Sequence, residues 1–202
     1  MSNPNPPSGR AFARWPLLAG IAALLLYAVF LHRHAAVVAG GADSSGYLNS
    51  ARLLGEGRLQ ETLRAPPELG PVARLDRMHF LPQGFFPARD ADRLNPTYPT
   101  GLPLHLAAAQ AVLGTGAGTS AVMLGAAVGA LALMYLAARW LGLGPPLAGA
   151  GVVALAACPV FLFTSIQPLS DTLATTWGLA ALVAGLRAGG SSAWAAAAGG
   201  AL

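Results

Sequence analysis

Charge is scarce in this chain, and its scarcity restricts what the protein can be. Only 10% of the 202 residues are charged, and lysine is absent. A typical soluble domain carries about 25% charged residues. Hydrophobic residues make up 54% of the chain, and the mean hydropathy is +0.54. A surface so poor in charge would not stay dispersed in water, so the composition predicts a protein surrounded largely by lipid.

Cysteine and clustered basic residues are also lacking. The single cysteine, Cys158, lies in an apolar run, which excludes an intramolecular disulfide. No spacing of Cys, His or acidic residues fits a metal site, so we predict neither a metal nor another cofactor. The arginines are scattered rather than gathered in one patch, which argues against nucleic acid as a partner.

Long apolar runs, by contrast, are abundant. A spanning helix needs about 20 mostly apolar residues, and several stretches approach that length. We predict an all-α, polytopic membrane protein with about four to five transmembrane helices and a disordered cytoplasmic tail over residues 1–14. The predicted spans are 15–38, 120–138, 146–166, 171–188 and a fifth from Trp194 that is cut short at Leu202. That abrupt ending inside an apolar stretch leads us to expect a fragment.

Residues 39–97 form a long polar loop between the first two predicted spans. Seven of the eight acidic residues fall in this loop, and seven arginines balance them. Apolar side chains recur at helical spacing over 43–54, which predicts an amphipathic helix that Gly55 and Gly57 would end. Residues 65–97 are rich in Pro and Arg, and we expect them to be irregular.

The segment 98–114 decides the topology. It is short for a span, it contains His105 and Gln110, and two prolines lie in its first turns. We predict that it is interfacial or re-entrant, because the arginines flanking the spans then all fall on the cytoplasmic side with the N-terminus, as the positive-inside rule favours. Asp43 and Asp171 then share the non-cytoplasmic face. The arginines concerned are Arg10, Arg14, Arg139 and Arg187.

Asp43 and Asp171 each have two possible roles. Each precedes a predicted helix, where Asp is a favoured N-cap, and Ser170 competes for that position beside Asp171. Alternatively, a carboxylate at the membrane surface acts as a base or orients a substrate. For Asp43 the two roles are compatible, because a capped helix is also a rigid support.

Several weak motifs occur here in a distinctive order. Asp43-x-x-x-Tyr47-Leu and Leu-Leu-x-x-Gly follow the first span, Tyr98-Pro-x-Gly-x-Pro-Leu follows the loop, and Pro-x-x-Ser-Asp171-x-Leu opens a later span. Over about residues 15–188 this order resembles the N-terminal part of the C-type membrane glycosyltransferases. The most similar branch contains the protein O-mannosyltransferases and aminoarabinose transferases, which take sugars from polyprenyl-phosphate carriers.

The resemblance implies an inverting glycosyltransferase with a polyprenyl-phosphate sugar donor. Asp43 matches the acidic residue that deprotonates or orients the acceptor, and Asp171 matches a second acid near the lipid phosphate. Tyr47 and Tyr98 would contribute to substrate binding. Tyr98-Pro99-Thr100 stands where those enzymes carry His-Pro-Pro or Lys-Pro-Pro, which leaves the sugar and the acceptor open. Cationic help for the departing phosphate would come from one or more of Arg74, Arg77, Arg89 and Arg93.

Two other functions remain open from the sequence. A transporter or flippase would show internal repeats and charged or broken helices at the midplane, and neither is evident. In a non-enzymatic membrane subunit, Asp43 would be only a helix cap. In every case we expect membrane lipid as a partner and a location in a bacterial inner or plasma membrane.

Overall fold

Helices dominate the part of the chain that the computed structural model describes, residues 14–64, 68, 80–89 and 92–188. The prediction of a mainly helical protein is therefore confirmed. The described elements are α1 (Arg14–His34), α2 (Ala42–Gly55), β1 (Glu61–Thr62), β2 (Phe85–Pro87), β3 (Arg93–Pro96), α3 (Gly101–Leu113), α4 (Thr115–Trp140), α5 (Pro145–Ala156), α6 (Pro159–Ser165) and α7 (Ser170–Ala188). Most of the predicted tail and the predicted helix from Trp194 lie outside the described residues.

Helix α4 is the centre of the helical part. It packs against α3, α5 and α7, and the described part of α1 also touches it. Its buried positions are mostly small, which lets neighbouring backbones approach closely. The Thr176 hydroxyl of α7 donates to the Ala126 carbonyl of α4 at 2.7 Å. A Cβ added to Gly129 would lie 3.2 Å from the Thr176 methyl group, so these two helices are in tight contact.

The predicted third span, 146–166, is not one straight helix. It is divided into α5 and α6, whose axes differ by 64°. The break falls at Cys158, directly before Pro159, which occupies the first turn of α6. Proline has no N–H to donate and its ring clashes with the carbonyl four residues earlier. The prediction of one span over 146–166 did not include this break, and whether the bent pair crosses as one span stays a prediction.

Among the described helices, α4 alone is both long and apolar enough to cross a membrane as a single helix. The bent pair α5 and α6 counts as a second candidate if it is taken as one broken span. Helix α1 is apolar over Leu18–His34, and α3 is apolar but short. By length and composition, then, the described residues contain one or two candidate spans, and the predicted four to five stay a prediction.

The polar loop contains a small sheet that the sequence did not predict. Strands β1, β3 and β2 lie side by side in that order, and both pairings are antiparallel. Buried side chains Phe85 and Leu94 pack against Leu53 of α2. The expectation of irregular structure over 65–97 was wrong for β2 and β3. Such short strands, which carry Arg and Pro, are formed by packing on α2 and not by a hydrophobic pattern of their own.

Candidate functional site

Asp43 lies at the beginning of α2, but it does not cap the helix. The N-cap is Gly41, and Asp43 falls within the first turn. The capping group is the hydroxyl of Ser44, which accepts from the backbone N–H groups of Gly40 at 2.9 Å and Gly41 at 3.0 Å. The N-cap prediction for Asp43 was therefore wrong. The carboxylate is exposed and is not needed to satisfy the end of the helix.

The partner of Asp43 is Tyr98, which is 55 positions away in the sequence. The Tyr98 hydroxyl donates to Oδ1 of Asp43 at 2.5 Å. This hydrogen bond raises the pKa of Tyr98, because the phenol proton is held by a carboxylate and a second negative charge beside it would be unfavourable. Tyr98 is half-buried, whereas Asp43 is exposed. The phenol therefore fixes one carboxylate oxygen and leaves the carboxylate accessible to a ligand.

A contact between two glycines brings Tyr98 to this position. A Cβ added to Gly84 would lie 2.3 Å from Cα of Gly46, and one added to Gly46 would lie 2.3 Å from Cδ2 of Tyr98. Gly84 also has φ +87°, which side-chain-bearing residues rarely adopt. The N–H of Thr97 donates to the Gly84 carbonyl at 2.9 Å. The strand pair β2–β3 thus packs directly on α2. Tyr98 comes shortly after β3 in the chain and is therefore held beside α2. Sequence reasoning missed both glycines.

Tyr47 joins this group to the beginning of α7. It lies one turn after Asp43, is 7% exposed, and its ring centroid is 4.9 Å from that of Tyr98. Its hydroxyl is 2.8 Å from the hydroxyl of Ser170, the residue before Asp171. Helix α7 begins at Ser170, so Asp171 lies in the first turn, and its side chain is exposed. The structure therefore brings Asp43, Tyr47 and Tyr98 together at the end of the molecule where α7 begins.

Two of the four predicted phosphate-binding arginines are described by the structure, and neither contacts Asp43, Tyr47 or Tyr98. Arg74 and Arg77 lie outside the described residues. Arg89 is exposed and follows β2. Arg93 begins β3 and donates to Oε1 of Gln60 at 3.0 Å. Arg93 lies five positions before Tyr98, which corresponds to at most roughly 16 Å of extended chain at about 3.3 Å per residue.

A second polar cluster surrounds Glu61, which the sequence did not single out. Its carboxylate is 2.8 Å from Arg52 and 2.7 Å from Arg58, and Arg64 is 3.9 Å away. The side chain is only 11% exposed. The backbone N–H of Thr62 and the guanidinium of Arg58 lower the pKa of Glu61 to about 2. This carboxylate is fully engaged in holding β1 against the end of α2.

A metal centre does not emerge from the part of the chain that the structure describes. No three His, Cys, Asp or Glu side chains there lie close enough together to hold a metal ion. The Nδ1–H of His105 donates to the Gly101 carbonyl at 2.8 Å, and the His105 ring centroid lies 6.0 Å from that of Trp177. His79 lies outside the described residues.

Similarity to known proteins does not assign a function. No protein-family model matches the chain, and no curated protein or solved structure is significantly similar to it. The arrangement around Asp43 offers an accessible carboxylate in a fixed orientation, at the end of three helices, which suits proton transfer from a bound hydroxyl.

Proposed function

We propose that the chain acts as a membrane glycosyltransferase that moves a sugar from a polyprenyl-phosphate donor to an acceptor at the non-cytoplasmic face. The observation that carries this proposal is the Asp43–Tyr98 hydrogen bond, at the end where α2, α3 and α7 begin. A lipid-linked donor carries its reactive carbon at the bilayer surface. A catalytic carboxylate must therefore be mounted at the ends of membrane helices and not within them.

A membrane location is supported by the apolar surface of the described helices. Leu25 and Leu26 of α1 are 62% and 72% exposed, and Val153 and Val160 of α5 and α6 are 66% and 70% exposed. In water such side chains would be unfavourable, whereas lipid chains are a suitable solvent for them. We propose a polytopic arrangement in which α1, α4, the bent pair α5–α6, and α7 cross the bilayer, with the N-terminus in the cytoplasm.

The proposed reaction is a direct displacement at the anomeric carbon. The acceptor hydroxyl gives its proton to the Asp43 carboxylate, and its oxygen forms the new bond to the sugar. The bond between the sugar and the phosphate oxygen breaks, and polyprenyl phosphate leaves with the electron pair. Attack from the opposite side inverts the anomeric configuration. Tyr98 holds Oδ1, so Oδ2 is the oxygen presented to the acceptor. Arg93 has no role at the leaving phosphate in this proposal, because its guanidinium donates to Gln60 on the other side of the sheet region.

Replacing Asp43 by Asn tests the proposal. General-base catalysis is worth about 10²–10⁴-fold in rate, so we expect Asp43→Asn to lower sugar transfer at least 100-fold in membranes that contain the full chain and a polyprenyl-phosphate sugar. Glu56→Gln is the matched control, because it also neutralises a carboxylate next to α2, at a side chain that is 42% exposed, and it should leave transfer within about twofold. Undiminished transfer by a well-expressed Asp43→Asn protein would reject the catalytic role and favour a non-enzymatic membrane subunit.

The topology is tested separately by cysteine accessibility. Single cysteines at positions 43, 142 and 171, in a chain whose Cys158 is replaced by Ala, are labelled in intact cells with an impermeant maleimide. We expect labelling from outside at 43 and 171, and labelling at 142 only after the membrane is opened. Labelling of 171 only from the cytoplasm would contradict a site shared by Asp43 and Asp171.

A further inference from the structure

The three-stranded sheet has two different faces. Alternate residues of a strand point to opposite sides, and the register pairs Phe86 with Asn95 and Thr62 with Arg93. Phe85 and Leu94 belong to the face that is buried against α2. The opposite face therefore carries Phe86, Asn95, Arg93 and Thr62. Phe86 is 47% exposed, so this outward face presents an aromatic ring beside polar groups.

The polar side chains of the outward face form a hydrogen-bond network in which each donor and acceptor is fixed. The Arg93 guanidinium donates to Oε1 of Gln60 at 3.0 Å, and Nε2 of Gln60 donates to Oδ1 of Asn95 at 2.8 Å. Arg93 can only donate, so the side-chain oxygen of Gln60 must face it. The amide nitrogen of Gln60 then faces the side-chain oxygen of Asn95. The Asn95 amide nitrogen and the remaining guanidinium N–H groups are left to donate outward. The face is therefore rich in donors and suits a ligand that supplies acceptors.

Two arginines, Arg58 and Arg93, line this side of the sheet, and among the described residues Arg93 is the one of the two with no carboxylate in ion-pair contact. Arg58 is already bound to Glu56 at 2.8 Å and to Glu61 at 2.7 Å. Within the described residues, the partner of Arg93 is the uncharged amide of Gln60. An open groove of about 710 Å³ runs along this side of the sheet, which is large enough for more than one sugar unit. Its lining consists of Arg58, Leu59, Gln60, Glu61, Thr62, Arg93 and Asn95.

We propose that this outward face binds an acidic saccharide. The sugar ring packs against Phe86, because the negative face of an aromatic ring attracts the C–H groups of a sugar. The carboxylate or phosphate of the saccharide accepts from Arg93 and from the amide nitrogen of Asn95. Phe86 and Asn95 are cross-strand partners, so their side chains lie about 5 Å apart, a spacing that one sugar unit spans. The binding site is separate from Asp43 and does not depend on sugar transfer.

Calorimetric titration tests this proposal. The full chain is placed in lipid nanodiscs, because maltoside detergents would themselves compete for a sugar site. The probes are an oligomer of galacturonic acid, a neutral galactose oligomer of equal length, and inorganic phosphate. We expect the acidic oligomer to bind, Arg93→Gln to weaken it at least tenfold, and Phe86→Ala to weaken it about fivefold. Phe86→Leu should behave like Phe86→Ala, because leucine keeps apolar area but has no ring face.

Matched substitutions elsewhere serve as controls. Arg33→Gln and Phe163→Ala also remove an exposed Arg and an exposed Phe, and should leave binding unchanged. Equal thermal midpoints for Arg93→Gln and the unmodified chain would show that the sheet is intact. If Arg93→Gln unfolds, Asn95→Ala replaces it, and we expect that variant to weaken binding about threefold. The proposal is overturned by absent binding, by binding that Arg93→Gln and Asn95→Ala leave unchanged, or by a neutral oligomer or phosphate that binds as tightly as the acidic oligomer.

Discussion

One carboxylate lies near each end of α2, and the two carboxylates have opposite surroundings. At the beginning of the helix, Asp43 is exposed and is held by one neutral phenol, that of Tyr98. Beyond the other end, Glu61 is 11% exposed and is surrounded by Arg52, Arg58 and Arg64. One carboxylate keeps its charge available to a ligand, and the charge of the other is neutralised within the protein.

This difference shows that charge counts alone do not locate a carboxylate suited to proton transfer. The polar loop holds seven acidic residues, and among them the pKa of Glu61 is lowered to about 2 by its neighbours. A strongly lowered pKa arises in ion-pair networks as readily as in active sites. Accessibility and a fixed orientation separate the two cases, and only Asp43 has both.

The largest effect on stability is expected from Gly84→Ala, which separates the sheet from the beginning of α2. Its Cβ would overlap Cα of Gly46 at 2.3 Å, and φ +87° adds backbone strain. Overpacking and left-handed strain together should cost about 3 kcal/mol. Thermal unfolding in nanodiscs measures the loss. Gly57→Ala is the control, because Gly57 has φ +68° and open space around it, so it should lose only about 1 kcal/mol. Equal losses for the two variants would argue against the Gly46–Gly84 contact.

The second-largest loss of stability is expected near the C-terminal end of α2. Glu61→Gln removes the charge that three arginines share and should lower the free energy of unfolding by about 2 kcal/mol at neutral pH. Because the pKa of Glu61 is lowered in the folded state, from 4.5 to about 2, its contribution is complete above pH 4.5 and is lost as the pH falls towards 2. Unfolding midpoints measured across that range should converge for the variant and the unmodified chain. Glu56→Gln, at a side chain 42% exposed, should show a much smaller difference. A constant difference down to pH 2 would contradict the assignment.

The structures at the two ends of α2 also differ in how far the sequence could predict them. Helical spacing over 43–54 predicted a helix there, and the structure has Ala42–Gly55. The sheet near its end was missed, because strands of two to four residues carry no periodic signal and depend on packing against Leu53. The Asp43–Tyr98 pair joins residues 55 positions apart, a distance at which no local pattern operates. Both residues were predicted as site residues, but through a family resemblance and separately.

A smaller effect, on activity, is expected from Tyr98→Phe. It removes the hydroxyl that fixes Oδ1 of Asp43 and keeps the ring contact with Tyr47. We expect kcat for sugar transfer to fall about tenfold, since a misoriented base costs reaction geometry, while KM stays within twofold. Tyr135→Phe, at an exposed tyrosine of α4, is the control and should change neither constant. A rise in KM with an unchanged kcat would show that Tyr98 binds substrate and does not orient the base.

The smallest expected effect is at the link between α2 and α7. Tyr47→Phe removes a buried hydroxyl that lies 2.8 Å from that of Ser170, and a hydrogen bond of this kind contributes about 1 kcal/mol to stability. A double-mutant cycle with Ser170→Ala isolates the pair, because both substitutions remove a hydroxyl and leave the packing almost unchanged. A coupling near 1 kcal/mol would mean that the beginning of α2 is anchored to α7. No coupling would leave Tyr98 as the support of Asp43, and the site would then depend on the sheet rather than on α7.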